Sequence, residues 1–416
     1  KLDCANGREK ADLVLKNGNV LNVFTEEVLK ADVAICGDTI VGVGEYEGKE
    51  EIDCTGKYLV PGFIDAHMHI ESCMAAPGEL AKVLAKAGTT TIIADPHEIV
   101  NVSGTKGMDY FLKCAAKLLV NVFFMVPSAV PATDVETNGC GEFLASDMMK
   151  YVDNARVLGL GETMRFMECC EGEKRMADKL ELFAKKHIDG HAPGIRGKEV
   201  QAYRLAGVEN DHECSTAEEV LDKLRAGLHI YVREGSGAKN LETLIKTMLD
   251  AGVCLDRCAF CTDDKHVEEI RKEGHISTCI RKAIALGVPV AKAYKMGSYQ
   301  AAEFYGLKNY GAIGAGYRAD IVFLDDLEQV RPLDVMKDGR ILTEEDYAKD
   351  YSVPVPDELL HTVHVGEVTK EKIRLSCDGK TDVIQMNPHQ IVTTHLVEEV
   401  PTENGYFKSD GVYLSL

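Results

Sequence analysis

The sequence is poor in positive charge, with 47 Lys and Arg against 67 Asp and Glu and a net charge of -20 at pH 7. Binding to a nucleic-acid backbone needs clustered Lys and Arg, and no such run occurs in the sequence, which argues against a nucleic-acid partner. Long apolar runs are lacking as well. The longest, Leu118 to Val126, is interrupted by Asn121, whereas a bilayer span needs ~20 apolar residues. Since no signal peptide is recognisable either, we expect no membrane partner and a cytoplasmic location.

The chain also lacks the cysteine and glycine patterns of several common sites. Its 14 cysteines are irregularly spaced, unlike those of a secreted disulfide framework, so reduced thiols are expected. The segment Cys258 to Cys261 has the spacing of a redox or zinc motif. No second cysteine pair accompanies it, and ordinary strand residues are the preferred interpretation. The segments Gly42 to Gly44 and Gly159 to Gly161 lack the third glycine of a dinucleotide-binding loop.

Hydrophobic periodicity divides the chain into two parts. The first 60 residues alternate apolar and polar positions between turn signals such as Asn17-Gly18, which predicts short antiparallel strands joined by tight turns. From Pro61 onward, strand-like runs alternate with amphipathic helical ones, and the segment Ser215 to Glu218 predicts a helix start with a capping box. A glycine repeatedly joins helix to strand, at Gly88, Gly207, Gly227, Gly252 and Gly287. We therefore expect a parallel sheet with connecting helices.

Eight strand ends can be placed in the second part, spaced as the strand-plus-helix units of a barrel require. They are His67, Asp95, Pro127, Glu162, His191, His212, Arg233 and Asp263. This pattern predicts an α/β fold with a (β/α)8 TIM-like barrel. Ionisable residues collect at these carboxyl ends, where barrel enzymes build their sites.

Six potential metal ligands lie at these strand ends. Alternate side chains of a strand point the same way, so His67 and His69 can aim both imidazoles at one point. Polar loops after buried strands would supply some histidines by chance. Four histidines with a Glu and an Asp suit Zn, Mn or Fe, and six ligands are too many for one tetrahedral ion. Two metal ions that share Glu162 would use the whole set of His67, His69, Glu162, His191, His212 and Asp263.

Six segments, in this order, resemble the amidohydrolase superfamily and more narrowly its adenine deaminase family. They are Val60 to Ser72, Asp95 to Ile99, Gly159 to Glu162, Asp189 to Gly194, Asp211 to Glu213 and Cys261 to Asp264. A later segment, Gly311 to Val322, is similar to the strand that returns to the amino-terminal β-domain in this superfamily. The resemblance implies a metal-dependent hydrolase barrel with a small β-sandwich domain built from the N-terminal strands and this return segment.

The resemblance also implies the domain organisation. Residues 1–60 would form the N-terminal part of the β-sandwich domain, residues 61–310 the catalytic barrel, and residues 311–345 the return to the β-sandwich. Residues 346–416 would be the start of a truncated C-terminal domain, with strands expected at Val363 to Val368 and Ile373 to Ser376.

The activity that the resemblance implies is the conversion of adenine and water to hypoxanthine and ammonia by a metal-activated hydroxide. Two divalent ions are expected as cofactors, Mn²⁺ first and Fe²⁺ or Zn²⁺ as alternatives. Water has a pKa of ~15.7, which a metal ion can bring to ~7, and this supplies about 12 kcal/mol of hydroxide generation. Family members are usually oligomers, so a homo-oligomer that binds adenine is the expected state.

Three catalytic residues are proposed from the motifs. Asp263 is expected to ligate a metal and to take the proton of the attacking water, the role of its counterparts in related deaminases. His97 and Glu98, after the second strand, are candidates for holding and protonating the ring, with Glu98 the proton donor. The alternative for these two is a solvated loop pair after Pro96.

Three further residues are candidates for binding the substrate. Asp264 could bind the N7 edge of the purine, but an Asp beside a metal ligand often only orients its neighbour. Arg233 and Ser236 could line the mouth of the site near the seventh strand.

Two alternatives to adenine deamination remain open at this point. One is another hydrolase of the superfamily, acting on a cyclic amide or a different purine, which assays with hydantoins and guanine would distinguish. The other is a non-catalytic scaffold of the same fold. All six ligand positions here carry competent ligands, which argues against the scaffold.

Overall fold

The computed structural model describes residues 1–414, which begin with a short helix and five strands. Their bounds are α1 (Leu2–Ala5), β1 (Ala11–Asn22), β2 (Glu27–Cys36), β3 (Thr39–Gly44), β4 (Gly48–Asp53) and β5 (Tyr58–Pro61). Strand β1 pairs with β2 in antiparallel and with β4 and β5 in parallel orientation. The tight turn predicted at Asn17-Gly18 is wrong, because β1 continues through it as a bulge in which Asn17 has φ +60°. Asn tolerates this left-handed backbone better than most residues.

Eight parallel strands follow, one for each predicted strand end. They are β6 (Phe63–Met68), β7 (Thr89–Ala94), β8 (Asn121–Val126), β9 (Val157–Thr163), β10 (His187–Gly190), β11 (Asn210–Asp211), β12 (His229–Arg233) and β13 (Cys258–Cys261). Strands β6 to β10 form one sheet in chain order, and β11 to β13 form a second. Cys258 and Cys261 are buried residues of β13, at 1% and 0% exposure, in accord with their interpretation as strand residues.

Backbone hydrogen bonds close these two sheets into a ring. Between β10 and β11, the amide of Glu209 donates to the carbonyl of Ile188 at 3.0 Å. Between β13 and β6, the amide of Asp263 donates to the carbonyl of His67 at 3.0 Å, and the amide of His69 donates to that of Asp263 at 3.2 Å. The strands thus form a TIM-like α/β barrel, which confirms the predicted class.

Thirteen helices connect and flank the barrel strands. They are α2 (Pro77–Lys86), α3 (His97–Ser103), α4 (Thr105–Ala115), α5 (Ala145–Met148), α6 (Phe166–Glu171), α7 (Lys174–Leu182), α8 (Lys198–Leu205), α9 (Ala217–Arg225), α10 (Leu241–Asp250), α11 (Val267–Glu273), α12 (Ile276–Ala285), α13 (Val290–Met296) and α14 (Tyr299–Phe304). None of the helices within residues 1–414 combines the length and the apolar character that a transmembrane segment needs.

The five glycines predicted to end helices all have positive φ, from +63° at Gly252 to +109° at Gly207. This left-handed backbone is the usual end of a helix and carries little cost at glycine. Four of them precede barrel strands, but Gly287 does not. Pro289 caps the new helix α13 two residues later, because proline suits the start of a helix.

Helix α9 begins one residue later than predicted, with a capping box of Thr216 and Glu219 rather than Ser215 and Glu218. The amide of Thr216 donates to the Glu219 carboxylate at 3.0 Å, and the amide of Glu219 donates to Thr216 Oγ1 at 3.3 Å. The buried Glu219 carboxylate also accepts a hydrogen bond from the amide of Gly194. This tie to the loop after β10 sets where the helix starts.

The chain then returns to its N-terminal strands. Strands β14 (Ile321–Leu324), β15 (Asp334–Lys337) and β16 (Arg340–Ile341) precede helix α15 (Glu344–Ala348). Because β14 pairs antiparallel with β5, the return segment and the N-terminal strands share one eight-stranded sheet. Side chains from both parts pack into one apolar cluster that includes Leu15, Val33, Ile40, Phe323 and Met336.

The last part of the chain forms short paired strands. They are β17 (Lys380–Gln385), β18 (Thr394–Glu399), β19 (Thr402–Glu403) and β20 (Tyr406–Phe407). The strands predicted for this region are wrong. Within the described residues, Val363 to Val368 has irregular backbone, and Ile373 to Ser376 contributes a single bridge from Ser376 to Tyr406. Val363 and Ile373 are exposed, so their apolar character does not report a buried strand face.

Candidate metal centre

Two histidines at the end of β6 point their rings at one spot. The Nε2 atoms of His67 and His69 lie 3.2 Å apart, and they are 3.0 and 2.8 Å from Glu162 Oε1. The Nδ1–H of His69 donates to the carbonyl of Asp95 at 2.7 Å. Because a carbonyl can only accept, a neutral His69 ring turns the lone pair of its Nε2 toward the Glu162 carboxylate. The Nε2 lone pair and the carboxylate would repel each other unless a cation or a proton lay between them.

Glu162, at the end of β9, lies between two pairs of histidines. Its Oε1 faces His67 and His69, as described above. Its Oε2 is 2.6 Å from Nδ1 of His191 and 3.7 Å from Nε2 of His212. The Glu162 residue is only 2% exposed, so this carboxylate is the buried centre of the cluster.

Asp263 completes the cluster from the residues after β13. Its Oδ1 is 3.1 Å from Nε2 of His69 and 3.9 Å from Nε2 of His67, and its Oδ2 accepts a hydrogen bond from Arg233 at 2.8 Å. The backbone of Asp263 has φ +57°, a left-handed conformation that costs energy for a residue other than glycine. Strain of this kind concentrates at functional sites, where the surrounding structure enforces it.

The charges of the cluster reinforce one another. Burial raises the pKa of the Glu162 carboxyl, but the neighbouring His69 and His67 rings lower it more, and the pKa lies well below its ordinary value. Burial lowers the pKa of the His69 ring, but Glu162 and Glu98 raise it more, and the pKa lies well above its ordinary value. Both pKa shifts indicate an ionised Glu162 carboxylate that stabilises positive charge on the groups around it.

The side chains of the cluster fit a divalent metal ion. Glu162 Oε1, His67 Nδ1 and both ring nitrogens of His212 are buried and have no hydrogen-bond partner among the described residues, although buried polar atoms are normally paired. His67, Glu162, His212 and Asp263 each bring one ligand atom within 4.8 Å of the others. Imidazole nitrogens and carboxylate oxygens are the donors that divalent transition ions bind. These residues therefore have the donor atoms and the spacing that could hold a divalent metal ion.

His97 and Glu98 lie in the first turn of α3, at the edge of the cluster. The His97 ring centroid is 4.5 Å from that of His69, and Glu98 Oε2 is 3.6 Å from His69 Nδ1. Burial and the neighbouring His69 lower the pKa of the His97 ring to about 3, whereas burial raises the pKa of the Glu98 carboxyl to about 8. At neutral pH this pair is therefore a neutral ring beside a protonated carboxyl.

Asp264 and Ser236 lie together above the cluster. Asp264 is exposed, and its carboxylate lies within 4.8 Å of ligand atoms of His69 and Asp263. The amide of Ser236 donates to the carbonyl of Asp264 at 2.7 Å, and Ser236 Oγ accepts from the amide of His266 at 2.9 Å. Ser236 thus ties the loop after β12 to the loop after β13.

Arg233 lies inside the barrel rather than at the mouth expected from its place at a strand end. Arg233 is 0% exposed. Its guanidinium donates hydrogen bonds to the carboxylates of Glu213 and Asp263. It also donates to Asn240 Oδ1 from Nη2 at 3.0 Å and from Nε at 3.2 Å. A buried guanidinium needs such partners, because an unpaired buried charge is costly. Arg233 is therefore placed to orient Asp263.

Three acidic residues of the site were not predicted. Glu213 is fully buried, and its Oε1 lies 3.4 Å from His212 Nε2. Asp95 accepts the hydrogen bond of His69 at its carbonyl and that of the Glu162 amide at its carboxylate, at 2.7 Å each. Glu71 accepts from the amide of Ile99 at 3.0 Å and so holds the start of α3. Each of the three lies in one of the six segments that resemble the amidohydrolase superfamily. Their closeness in sequence to a predicted metal ligand could therefore have marked them as residues of the site.

A buried network beneath the cluster connects β6 to β13. Asp65 accepts hydrogen bonds from the amides of His67 and Thr262 at 3.1 and 3.2 Å, and from Thr262 Oγ1 at 2.6 Å. His275 Nε2 lies 3.1 Å from the same carboxylate. The His275 side chain is fully buried. It fixes the two strands that carry His67 and Asp263.

The small residue before Glu162 leaves room for this arrangement. A Cβ at Gly161 would lie 2.2 Å from Asp95 Oδ2, the atom that holds the Glu162 amide. We expect Gly161→Ala to lower the free energy of unfolding by about 1–3 kcal/mol and to lower the metal content. Chemical denaturation and metal analysis measure both, with Gly366→Ala, where the added Cβ meets open space, as the control. Parent-like stability and metal content would contradict this packing.

The chain belongs to the amidohydrolase family, which it matches over residues 58–342. This span contains the whole barrel and every residue of the histidine and carboxylate cluster around Glu162. Among curated proteins, the chain is similar to one named adenine deaminase from Desulfitobacterium hafniense strain Y51, with 46% identity over 408 residues that cover 98% of this chain and 71% of that protein. It is also similar to adenine deaminase 2 of Carboxydothermus hydrogenoformans, with 43% identity and the same two coverages.

Solved structures agree on the fold. The structure of a beta-aspartyl dipeptidase from Fervidobacterium islandicum AW-1 covers 80% of this chain and 96% of that chain, with a TM-score of 0.59 and 19% sequence identity. At this identity the likeness establishes the fold alone. It is the TIM-like α/β fold that the barrel strands define.

Proposed function

We propose that this chain catalyses the hydrolytic deamination of adenine to hypoxanthine and ammonia. One observation carries the proposal. The complete buried cluster of histidines, Glu162 and Asp263 occurs in a chain that is 46% identical to a protein named adenine deaminase. A non-catalytic scaffold is disfavoured, because its metal ligands would be free to change.

The cluster would hold two divalent ions, with manganese as the proposed metal and iron or zinc as alternatives. The pair His67 and His69 faces one oxygen of Glu162, and the pair His191 and His212 faces the other. Glu162 would therefore be shared by both ions, with Asp263 as a further ligand. A bound divalent ion supplies a water molecule whose pKa is near ~7 instead of ~15.7.

Asp263 accepts the proton that the attacking water loses. Its Oδ2 is occupied by Arg233, at 2.8 Å, while its Oδ1 faces the histidines. One oxygen is thus left to receive the proton at the place where the water is needed. Attack at C6 of adenine then requires a proton on ring nitrogen N1. The proton held by Asp263 passes to the amino group, which leaves as ammonia, and the C6 hydroxyl gives up its own proton to restore the proton donor. Asp264, beside Asp263, is proposed to bind the N7 edge of the ring.

Glu98 is the proposed donor of the proton to N1, with His97 holding the ring. Since burial raises the pKa of Glu98 to about 8, its carboxyl keeps a proton at neutral pH. We expect Glu98→Gln to lower kcat for adenine by about 10²- to 10⁴-fold, with unchanged metal content. Ammonia release and metal analysis measure the two effects, and Glu181→Gln, at an exposed position, is the control. An unchanged kcat would remove Glu98 from the mechanism.

The substrate is tested with the purified protein, loaded with Mn²⁺ and supplied in parallel with adenine, guanine and hydantoin. Adenine is expected to be converted to hypoxanthine with one ammonia released for each ring, and the other two compounds to remain unchanged. Ring opening of hydantoin, or deamination of guanine, without turnover of adenine would contradict the proposal. Either result would indicate a different hydrolase of the same family.

A further inference from the structure

We propose that a basic groove between α2 and α11 binds an organic polyphosphate of nucleotide size. The groove encloses about 710 Å³ and is lined by α2, by the segment Ile270 to Ser277, by the segment Gln329 to Pro332 and by Tyr347. No residue of the metal cluster lines it. The proposal is therefore independent of the deaminase activity.

The charge of the groove is opposite to that of the chain. It is lined by the six cationic residues Lys82, Lys86, Arg271, Lys272, Arg281 and Arg331, against the two acidic residues Glu79 and Glu273. The chain as a whole has 47 Lys and Arg against 67 Asp and Glu. A concave surface lined by one sign of charge focuses the field and attracts counter-charged ligands.

Most of these cations have no carboxylate partner. Lys82 pairs with Glu79 at 2.7 Å, and Lys86 pairs with Glu344 at 3.5 Å. Within residues 1–414, the other four cations have no carboxylate oxygen within 4.0 Å. An anion that approaches these four cations therefore does not have to displace an existing ion pair.

Arg281 is held in place without being neutralised. Its guanidinium donates to the carbonyl of Glu273 at 2.9 Å, to Thr278 Oγ1 at 3.2 Å and to the carbonyl of Gln329 at 3.4 Å. All three acceptors are uncharged, so they orient the guanidinium and leave its positive charge available. A pre-oriented guanidinium fits the planar, two-point recognition of a phosphate group.

Apolar and aromatic groups among the lining residues point to an organic part of the ligand. Val83, Ala87, Val330 and Pro332 line the groove, and Lys86 Nζ lies 4.5 Å from the centroid of the Tyr347 ring. The volume lies within the range of about 300–1,000 Å³ that is usual for small-molecule sites. Phosphates at the arginines and a ring near Tyr347 would fill it.

The test is a calorimetric titration of the metal-loaded protein, kept saturated with hypoxanthine so that the adenine ring of ATP does not enter the deaminase site, with ATP and, separately, with inorganic pyrophosphate. We expect ATP to bind more tightly than pyrophosphate. We also expect the double variant Arg271→Gln and Arg331→Gln to weaken both by at least about tenfold. Both arginines are exposed, so the fold should be kept. The double variant Lys185→Gln and Lys198→Gln removes the same charge from exposed positions elsewhere and should bind as the parent does.

Each other outcome of the titration would count against the proposal. Both probes can take up divalent ions from the metal centre, but that heat would be equal in parent and variant. Equal binding by parent and variant would therefore overturn the site. Equal affinity for ATP and pyrophosphate would overturn the organic part of the ligand. Arg281→Lys keeps the charge but loses the guanidinium fork, so it should bind pyrophosphate more weakly than the parent, and unaltered binding would remove Arg281 from the site.

Discussion

Asp263→Asn is expected to lower kcat for adenine deamination by at least about 10³-fold, because the variant side chain cannot take the proton of the attacking water. Asparagine has nearly the same shape, so the hydrogen bond from Arg233 to Oδ2, now 2.8 Å, can be kept at the amide oxygen. The effect should therefore appear in kcat, with a much smaller change in KM. Steady-state rates of ammonia release from adenine measure both constants.

The control for Asp263 is Asp153→Asn, at an exposed position before β9. It makes the same chemical change away from the cluster and should leave kcat unaltered. If Asp263→Asn kept more than about a tenth of the parent kcat with full metal content, Asp263 would not be the proton acceptor. If it lost its metal altogether, its role as a ligand would account for the loss of activity.

Glu162→Gln is expected to remove most of the bound metal and with it nearly all activity. The carboxylate faces four imidazole rings at 2.6 to 3.7 Å, and an amide has neither the charge nor two equivalent oxygens to hold two cations. Since metal activation of water is worth about 12 kcal/mol, the loss in kcat should exceed about 10⁴-fold. Metal content by mass spectrometry, together with ammonia release, measures both.

Glu171→Gln, at the exposed end of α6, is the matched control for Glu162. It should bind as much metal as the parent. A Glu162→Gln protein with parent-like metal content would show that the ions are held by other residues. Adding excess Mn²⁺ to the variant distinguishes weakened metal binding from a complete loss of metal binding. If activity is restored in this way, Glu162 contributes to metal affinity and not to the chemical step.

The barrel could be predicted because its strands end in recognisable places. Buried parallel strands are apolar until their carboxyl ends, so a polar residue such as His67, Asp95 or Glu162 marks each end. The glycines after the helices gave the other boundary, and four of the five precede barrel strands. The candidate ligand set followed from the same rule, since the carboxyl ends of parallel strands meet at one face.

Residues outside this rule were missed or misplaced for physical reasons. Glu213 follows His212 directly, and strict alternation would turn its side chain away. Strand β11 ends at Asp211, whose carboxylate accepts the hydrogen bond of the Glu213 amide at 2.8 Å, and this turn brings Glu213 back toward the cluster. Arg233 ends β12 as predicted. Its guanidinium lies inside the barrel because it pairs with the buried carboxylates of Glu213 and Asp263. This pairing depends on the tertiary structure and cannot be inferred from a sequence pattern.

The two-metal centre is tested most directly by an anomalous difference map, measured at the manganese absorption edge from crystals of the Mn²⁺-loaded protein. Two peaks are expected beside Glu162, one near His67 and His69 and the other near His191 and His212. A single peak, or peaks that lie away from the Glu162 carboxylate, would contradict the claim that these side chains converge on a pair of divalent ions.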